Sequence, residues 1–174
     1  MNHCIKRIKW EEILPIWEKD LWPNRKSEIT PTSAMCLSGK WKITENSTPE
    51  FIEQVYDLKN MEFSPTFWGY IIGDDLIGVN SGHMCLESQY RSRGLFVYPE
   101  YRGLGIGTKL LQKTMAQGYS EKAILSWSYP RETSWKSYHR AGYITTNNLY
   151  NFDFKKDEET NTFNTKCFFE FLKT

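Results

Sequence analysis

Two hydrophobic periods alternate along this chain, and the place where one gives way to the other marks its central joint. Leu95 to Tyr98, at the end of a strand from Gln89 to Val97, is apolar and rich in strand formers, and Pro99, which has no N–H to give a ladder, stops it. Beyond it Ile106, Leu110, Leu111 and Met115 recur at helical spacing and leave Lys109, Gln112 and Lys113 for solvent. Between them lies Tyr101-Arg-Gly-Leu-Gly-Ile-Gly107, with glycine at every second position.

Upstream, His3 to Ile8 fits a first strand, although Ile5 and Ile8 break strict alternation. Trp10 to Leu21 puts Ile13, Leu14, Trp17 and Leu21 on one helical face, and Pro15 is set to kink or split that helix. Trp22 to Gly39, rich in Pro, Ser and Thr, reads as an irregular connection. Ser47-Thr48-Pro49-Glu50 carries a helix cap, an early proline and a capping box, and the predicted helix continues through Phe51, Ile52, Val55 and Leu58 to Asn60. Phe67 to Ile72 and Leu76 to Ser81 flank Gly73-Asp74-Asp75 as a hairpin, whose second strand His83 to Leu86 would prolong.

Downstream, Ala123 to Trp127 is a short buried strand. Ser128-Tyr-Pro130 opens a helix that Gly142 and Tyr143 close as a C-terminal cap. Tyr143 to Phe154 and Phe163 to Leu172 are two further strands joined by the charged turn Lys155 to Asn161. The sum is a mixed α/β (α+β) fold around a central, mostly antiparallel sheet.

Composition narrows the function classes. At 174 residues the chain is long enough for one core and reads as a single domain over residues 1–174. With 22 basic and 21 acidic residues and no basic stripe, it is not expected to bind nucleic acid through bulk charge. Cys4, Cys36, Cys85 and Cys167 lie far apart without metal spacing, which predicts reduced core thiols and no metal. No stretch approaches the roughly 18 apolar residues of a membrane span, so the expected location is the cytoplasm. The seven Trp among 16% aromatics are read as bulky packing.

The glycine joint is suited to an anion, because a helix N-terminus presents unpaired N–H groups and the positive end of a dipole. It is not a Walker loop, since Gly107 is followed by Thr108 and Lys109 in the wrong order. Nor is it a dinucleotide fingerprint, since the third glycine falls on Thr108 or Leu110. The segment Val97-x-Pro99-x-x-Arg102-Gly103-x-Gly105-Ile106-Gly107 instead resembles the signature of the GNAT superfamily of N-acetyltransferases. Ser134-Trp-Lys-Ser-Tyr138-His-Arg-Ala-Gly142-Tyr143 is similar to a second segment of that family, and the two matches span residues 94 to 143.

The resemblance implies a twisted sheet of six to seven strands, helices on both faces and a V-shaped split after the fourth strand. It implies acetyl-coenzyme A as cofactor, with its pantetheine arm on the backbone of Leu95, Phe96 and Val97. The pyrophosphate would lie on the N–H groups of Arg102, Gly103, Leu104, Gly105, Ile106, Gly107 and Thr108. A Cβ at any of the three glycines would obstruct that approach. The Val97 N–H is the candidate oxyanion donor. Tyr138 takes the family's general-acid position, a phenol that stays protonated at neutral pH while a thiolate leaves. Arg131 stands where many relatives carry Asn, and either reaches a coenzyme A phosphate or sits in solvent at a helix start. The Glu that relatives often place on the fourth strand has Arg91 as its counterpart, with Arg93 on the same face, and neither is a base at neutral pH.

Glu87 and His83 are then the nearest base candidates, with Glu100 a third. Two arginines beside the site favour a small amine acceptor that also bears a carboxylate or phosphate. The expected activity is direct N-acetylation of a primary amine in a ternary complex. The alternatives are acetylation of a protein or peptide amine, and a GNAT-fold module that binds acyl-coenzyme A without turnover. No nucleic acid or membrane partner is expected, and a homodimer is compatible with the sequence.

Overall fold

The computed structural model describes residues 1–23, 29–32, 35–42, 50–55, 64–85, 89–123, 125–128, 130–151 and 164–171. Its elements run in the order β1 (His3–Ile8), α1 (Trp10–Ile16), β2 (Met35–Lys42), β3 (Glu50–Val55), β4 (Thr66–Ile72), β5 (Asp75–Cys85) and β6 (Gln89–Val97). Then follow α2 (Ile106–Ser120), β7 (Leu125–Ser128), α3 (Trp135–Ala141), β8 (Ile144–Asn151) and β9 (Asn164–Phe171). Seven strands form one sheet in the order β1-β4-β5-β6-β7-β9-β8, and β2 and β3 form a separate two-stranded ribbon. Among the described residues only β6 and β7 pair parallel; the other neighbours in the sheet are antiparallel.

The sheet is sandwiched between helices. On one face Ile13, Ile16 and Trp17 pack against Ile8, Phe67, Val79 and Phe96. On the other, Ile106 and Leu110 of α2 cover Trp68, Tyr70 and Ile77, while Leu111 joins Tyr138, Ala141 and Tyr143 beside α3. The hairpin, β6, α2 and the Gly142 cap stand where the pattern puts them. Gly142 has φ 109°, and Tyr143 N–H returns to the Tyr138 carbonyl at 3.0 Å. Pro15 does split the first helix: the ladder widens beyond it into a π-turn over Trp17–Leu21, closed by Trp22 N–H to Trp17 C=O at 2.8 Å.

Four expectations need correction. The helix predicted from Ser47 to Asn60 is strand β3 over Glu50–Val55, paired with β2 so that Met35 lies opposite Val55. Phe51, Ile52 and Val55 are good strand formers, and long-range pairing overrides a local cap signal. The rest of that segment lies outside the described residues. The connection predicted to Gly39 gives way to β2 at Met35, for the same pairing. The last helix starts at Trp135 after a single 3-10 turn, because β7 keeps Ser128 in the sheet. Cys4 is exposed on β1 and is no core thiol. The turn predicted at Lys155 to Asn161 lies outside the described residues. Among the described residues no helix is long and apolar enough to cross a membrane.

Candidate active site

β6 and β7 pair only over Gln89–Arg91 and Leu125–Trp127, yet β6 runs on to Val97, so the two strands part after the fourth strand of the sheet. The polar edge of Val97 faces this opening. Tyr98 N–H donates to Ile77 C=O of β5 at 3.1 Å, and alternate residues of a strand present their N–H and C=O groups to opposite sides. Consistently, the Val97 carbonyl accepts from Arg102 Nε at 2.7 Å rather than from β5. Leu95 and Val97 are half-buried toward α2, and Phe96 is buried on the α1 side.

A bulge sets this arrangement. Arg93 pairs with Ser81 and Phe96 with Val79, so β6 spends one more residue than β5 there. Gly94 absorbs the extra residue at φ 78°, a backbone that side chains rarely adopt. A Cβ on Gly94 would fall within the indole of Trp17, whose Nε1–H donates to the Gly94 carbonyl at 2.9 Å.

The glycine joint turns from a 3-10 turn at Pro99–Tyr101 into α2. Gly103 and Gly105 take φ 81° and 79°, and a Cβ built on either meets nothing within 4 Å, so both open onto free space. The first helical bond is Lys109 N–H to Gly105 C=O at 3.1 Å. Ile106, Gly107 and Thr108 therefore precede the ladder, and their N–H groups have no helix carbonyl to reach. That is an anion cradle of the kind a pyrophosphate fits. Gly107 differs, because its Cβ would press on Ser137 Oγ of α3 at 2.9 Å; it serves helix packing, not ligand approach. Arg102 and Leu104 are exposed, as is Arg131.

Tyr138 is 2% exposed, and its hydroxyl bridges the parting strands: it lies 3.0 Å from Ser92 Oγ of β6 and 2.9 Å from Ser128 Oγ of β7. Those residues directly follow the last paired ones, Arg91 and Trp127. Burial pushes the Tyr138 phenol up, and the bonds to Ser128 and Ser92 together with the Arg91 charge oppose this.

The opposite face of β6 carries Arg91, Arg93 and, across the ladder, His83. His83 is fully buried, and desolvation, with Arg91 and Arg93 beside it, lowers its pKa to about 3. Its Nδ1 donates to the Met84 carbonyl at 3.1 Å. The Arg93 guanidinium lies over Trp17 and Trp22, 4.9 and 5.1 Å from the ring centroids, and donates to the Thr30 carbonyl. It clasps the loop after α1. The Arg91 guanidinium stacks over Trp127 at 4.9 Å. Glu87 lies outside the described residues, and Glu100 is exposed in the 3-10 turn.

The opening thus gathers Val97, the loop and Tyr138, while His83 falls on the other face of the sheet. Sequence reasoning missed Asn80, Ser92, Thr114 and Ser128, a buried polar row behind Tyr138. Small polar residues in a strand or helix carry no signal of their own, because burial and partners are set only by packing. Among the described residues no group of three His, Cys, Asp or Glu is arranged to hold a metal.

Residues 35–143 match the family model described as Acetyltransferase (GNAT) family. The fold is shared with a GNAT-family acetyltransferase from Staphylococcus aureus Mu50, TM-score 0.60 at 16% identity, covering 99% of this chain and 100% of that one. An acetyltransferase from Bacillus subtilis in complex with coenzyme A superposes with TM-score 0.55 at 14% identity, over 63% of this chain and 78% of that one. A GNAT-family acetyltransferase from Elizabethkingia anophelis with acetyl-coenzyme A bound gives TM-score 0.54 at 13% identity, over 63% and 77%. No curated protein matches the chain.

Proposed function

The chain belongs to the GNAT family of acetyltransferases, and on that premise we propose that it acetylates a small primary amine by direct attack in a ternary complex, with Tyr138 as general acid. The observation that carries the reading is the convergence of three features on one opening: the Val97 edge, the N-terminus of α2 and the Tyr138 hydroxyl. Acetyl-coenzyme A is the cofactor and supplies the reactive thioester. Open space at Gly103 and Gly105 fits its pyrophosphate against the N–H groups from Arg102 to Thr108, where the dipole of α2 favours negative charge.

Each group has one task. Leu95 to Val97 hold the pantetheine arm by their backbone. The Val97 N–H stabilises the carbonyl oxygen as it gains charge. Tyr138 gives its proton to the departing sulfur. His83 is a poor base, since its ring accepts a proton only near pH 3. Glu87, acting through water, and Glu100 are the remaining candidates for the amine proton. Arg91 and Arg93 set a positive field on the α1 face of β6, which favours an acceptor with a carboxylate or phosphate; Arg93 acts there by its field alone, being clasped to Thr30.

The test is release of coenzyme A thiol from acetyl-coenzyme A against amino acids, amino phosphates, polyamines and peptides, with Tyr138→Phe in parallel. Turnover that falls about a hundredfold in Tyr138→Phe, with coenzyme binding retained, supports the assignment. A preference for polyamines removes the acidic acceptor. Binding without turnover on any amine makes the chain a binding module.

A further inference from the structure

With the Asn80 Nδ2 group turned toward Ser92 and Thr114, the hydroxyls around Tyr138 have one consistent direction of donation. Thr114 Oγ1 donates to the Leu110 carbonyl at 3.0 Å, so it accepts from Asn80 Nδ2 at 2.8 Å. The same Nδ2 group donates to Ser92 Oγ at 2.9 Å, so the Ser92 proton is not spent on Asn80. Ser128 Oγ donates to the Ser92 carbonyl at 2.8 Å, so it receives the Tyr138 proton, and the Tyr138 oxygen in turn accepts from Ser92 Oγ at 3.0 Å. Asn80, Ser92, Thr114, Ser128 and Tyr138 are all buried, which strengthens these bonds.

This order matters once the phenol loses its proton. A buried phenolate without donors is costly. Here Ser92 already points an O–H at it, and Ser128 needs only a bond rotation to turn its own from the Ser92 carbonyl to the phenolate. We infer that Ser92 and Ser128 form a two-hydroxyl cradle that stabilises the Tyr138 phenolate during acetyl transfer, with Asn80, held by Thr114, donating to Ser92 and so leaving the Ser92 proton for Tyr138. The inference rests on Tyr138 being the general acid. In the step, the amine nitrogen bonds to the carbonyl carbon, the carbon–sulfur bond breaks, and the sulfur takes the phenol proton. The nitrogen loses a proton to water, and the phenolate regains one from water when coenzyme A leaves. Ser92 and Ser128 touch neither substrate nor cofactor in this scheme; they are positioning residues.

A merely structural role exists for the same bonds, since they tie β6 to β7 beyond the last ladder pair. The experiment separates the two. With 3-fluorotyrosine at position 138 and coenzyme A bound, ¹⁹F NMR follows the phenol through its titration, and no acceptor is needed. Ser92→Ala and Ser128→Ala each move the midpoint upward, and Ser128→Cys, similar in size but a weaker donor, falls between. In thiol release with the best amine of the panel, each alanine variant lowers kcat about tenfold and leaves the KM for acetyl-coenzyme A within about twofold. Added to Tyr138→Phe, Ser128→Ala causes no further loss, because the group it serves is gone. Calorimetric binding of coenzyme A shows which variants are folded, and Ser128→Cys stands in for an alanine variant that is not. A midpoint unmoved in the folded variants, or a loss that adds to that of Tyr138→Phe, overturns the cradle while the acid assignment stands. Full kcat in Tyr138→Phe overturns the acid assignment, and the cradle's catalytic role with it.

Discussion

Gly94→Ala tests the geometry on which the opening depends. The substitution places a side chain on backbone at φ 78°, and its methyl group inside the volume of the Trp17 indole. The first effect costs about 1 to 2 kcal/mol, by the penalty for an L side chain in left-handed backbone. The second costs about 1 to 3 kcal/mol, as overpacking does in a filled core. Trp17 has no room to yield, because it is wholly buried against Trp10, Trp22 and Phe67 and under the Arg93 guanidinium. The expected loss is about 3 to 4 kcal/mol, a fall in Tm of about 10 °C for a domain of this size. Gly103→Ala is the control, with the same backbone at φ 81° but open space around the new methyl, and should cost about 1 kcal/mol. Urea denaturation of both variants reads the difference. Equal losses would refute the packing of Trp17 into the bulge, and with it the account of how β6 turns its edge to the opening.

Three further outcomes follow from the same structure. Gly103→Ala, though mildly destabilising, weakens coenzyme A binding at least about tenfold by calorimetry if its open side receives the pyrophosphate; unchanged affinity moves the anion elsewhere. His83 has a folded pKa of about 3 against an ordinary value of 6.5, so between those pH values the unfolded chain binds a proton that the folded one does not. Stability is lost as pH falls through that window, by about 2 kcal/mol at pH 5, and His83→Gln flattens that part of the slope; an equally steep slope in the variant would dismiss His83 as its source. Arg93→Met removes the donor to the Thr30 carbonyl, so limited proteolysis should cut faster between Trp22 and Thr32, and His83 should titrate at higher pH by NMR once a neighbouring cation is gone. An unchanged cleavage rate would contradict the clasp.

Where a signal is local, the sequence carried it. Pro15 announced the split in the first helix because a missing N–H acts on its own turn whatever surrounds it. Gly142 announced its cap, and the alternate glycines announced a loop opening into α2, because φ near 80° is a property of single residues. The signature residues from 94 to 143 carried the family for the same reason. By contrast, the cap at Ser47-Thr48-Pro49-Glu50 was a sound local signal that gave the wrong element at Glu50–Val55, since β2 supplied a pairing partner that no window around it contains.

The sequence by itself therefore determined the joint between β6 and α2, the general sheet-and-helix composition, and Tyr138 as a residue of interest. Only the tertiary structure decided which face each strand residue occupies. Alternation says that His83 and Arg91 point oppositely to their chain neighbours, but not toward which layer, and the bulge at Gly94 shifts that parity partway along β6. It set His83 among cations on the α1 side and Ser92 beneath Tyr138 on the other. The row from Thr114 through Tyr138 to Ser128 spans five separate elements, and its hydrogen bonds exist only once packing has brought those elements together.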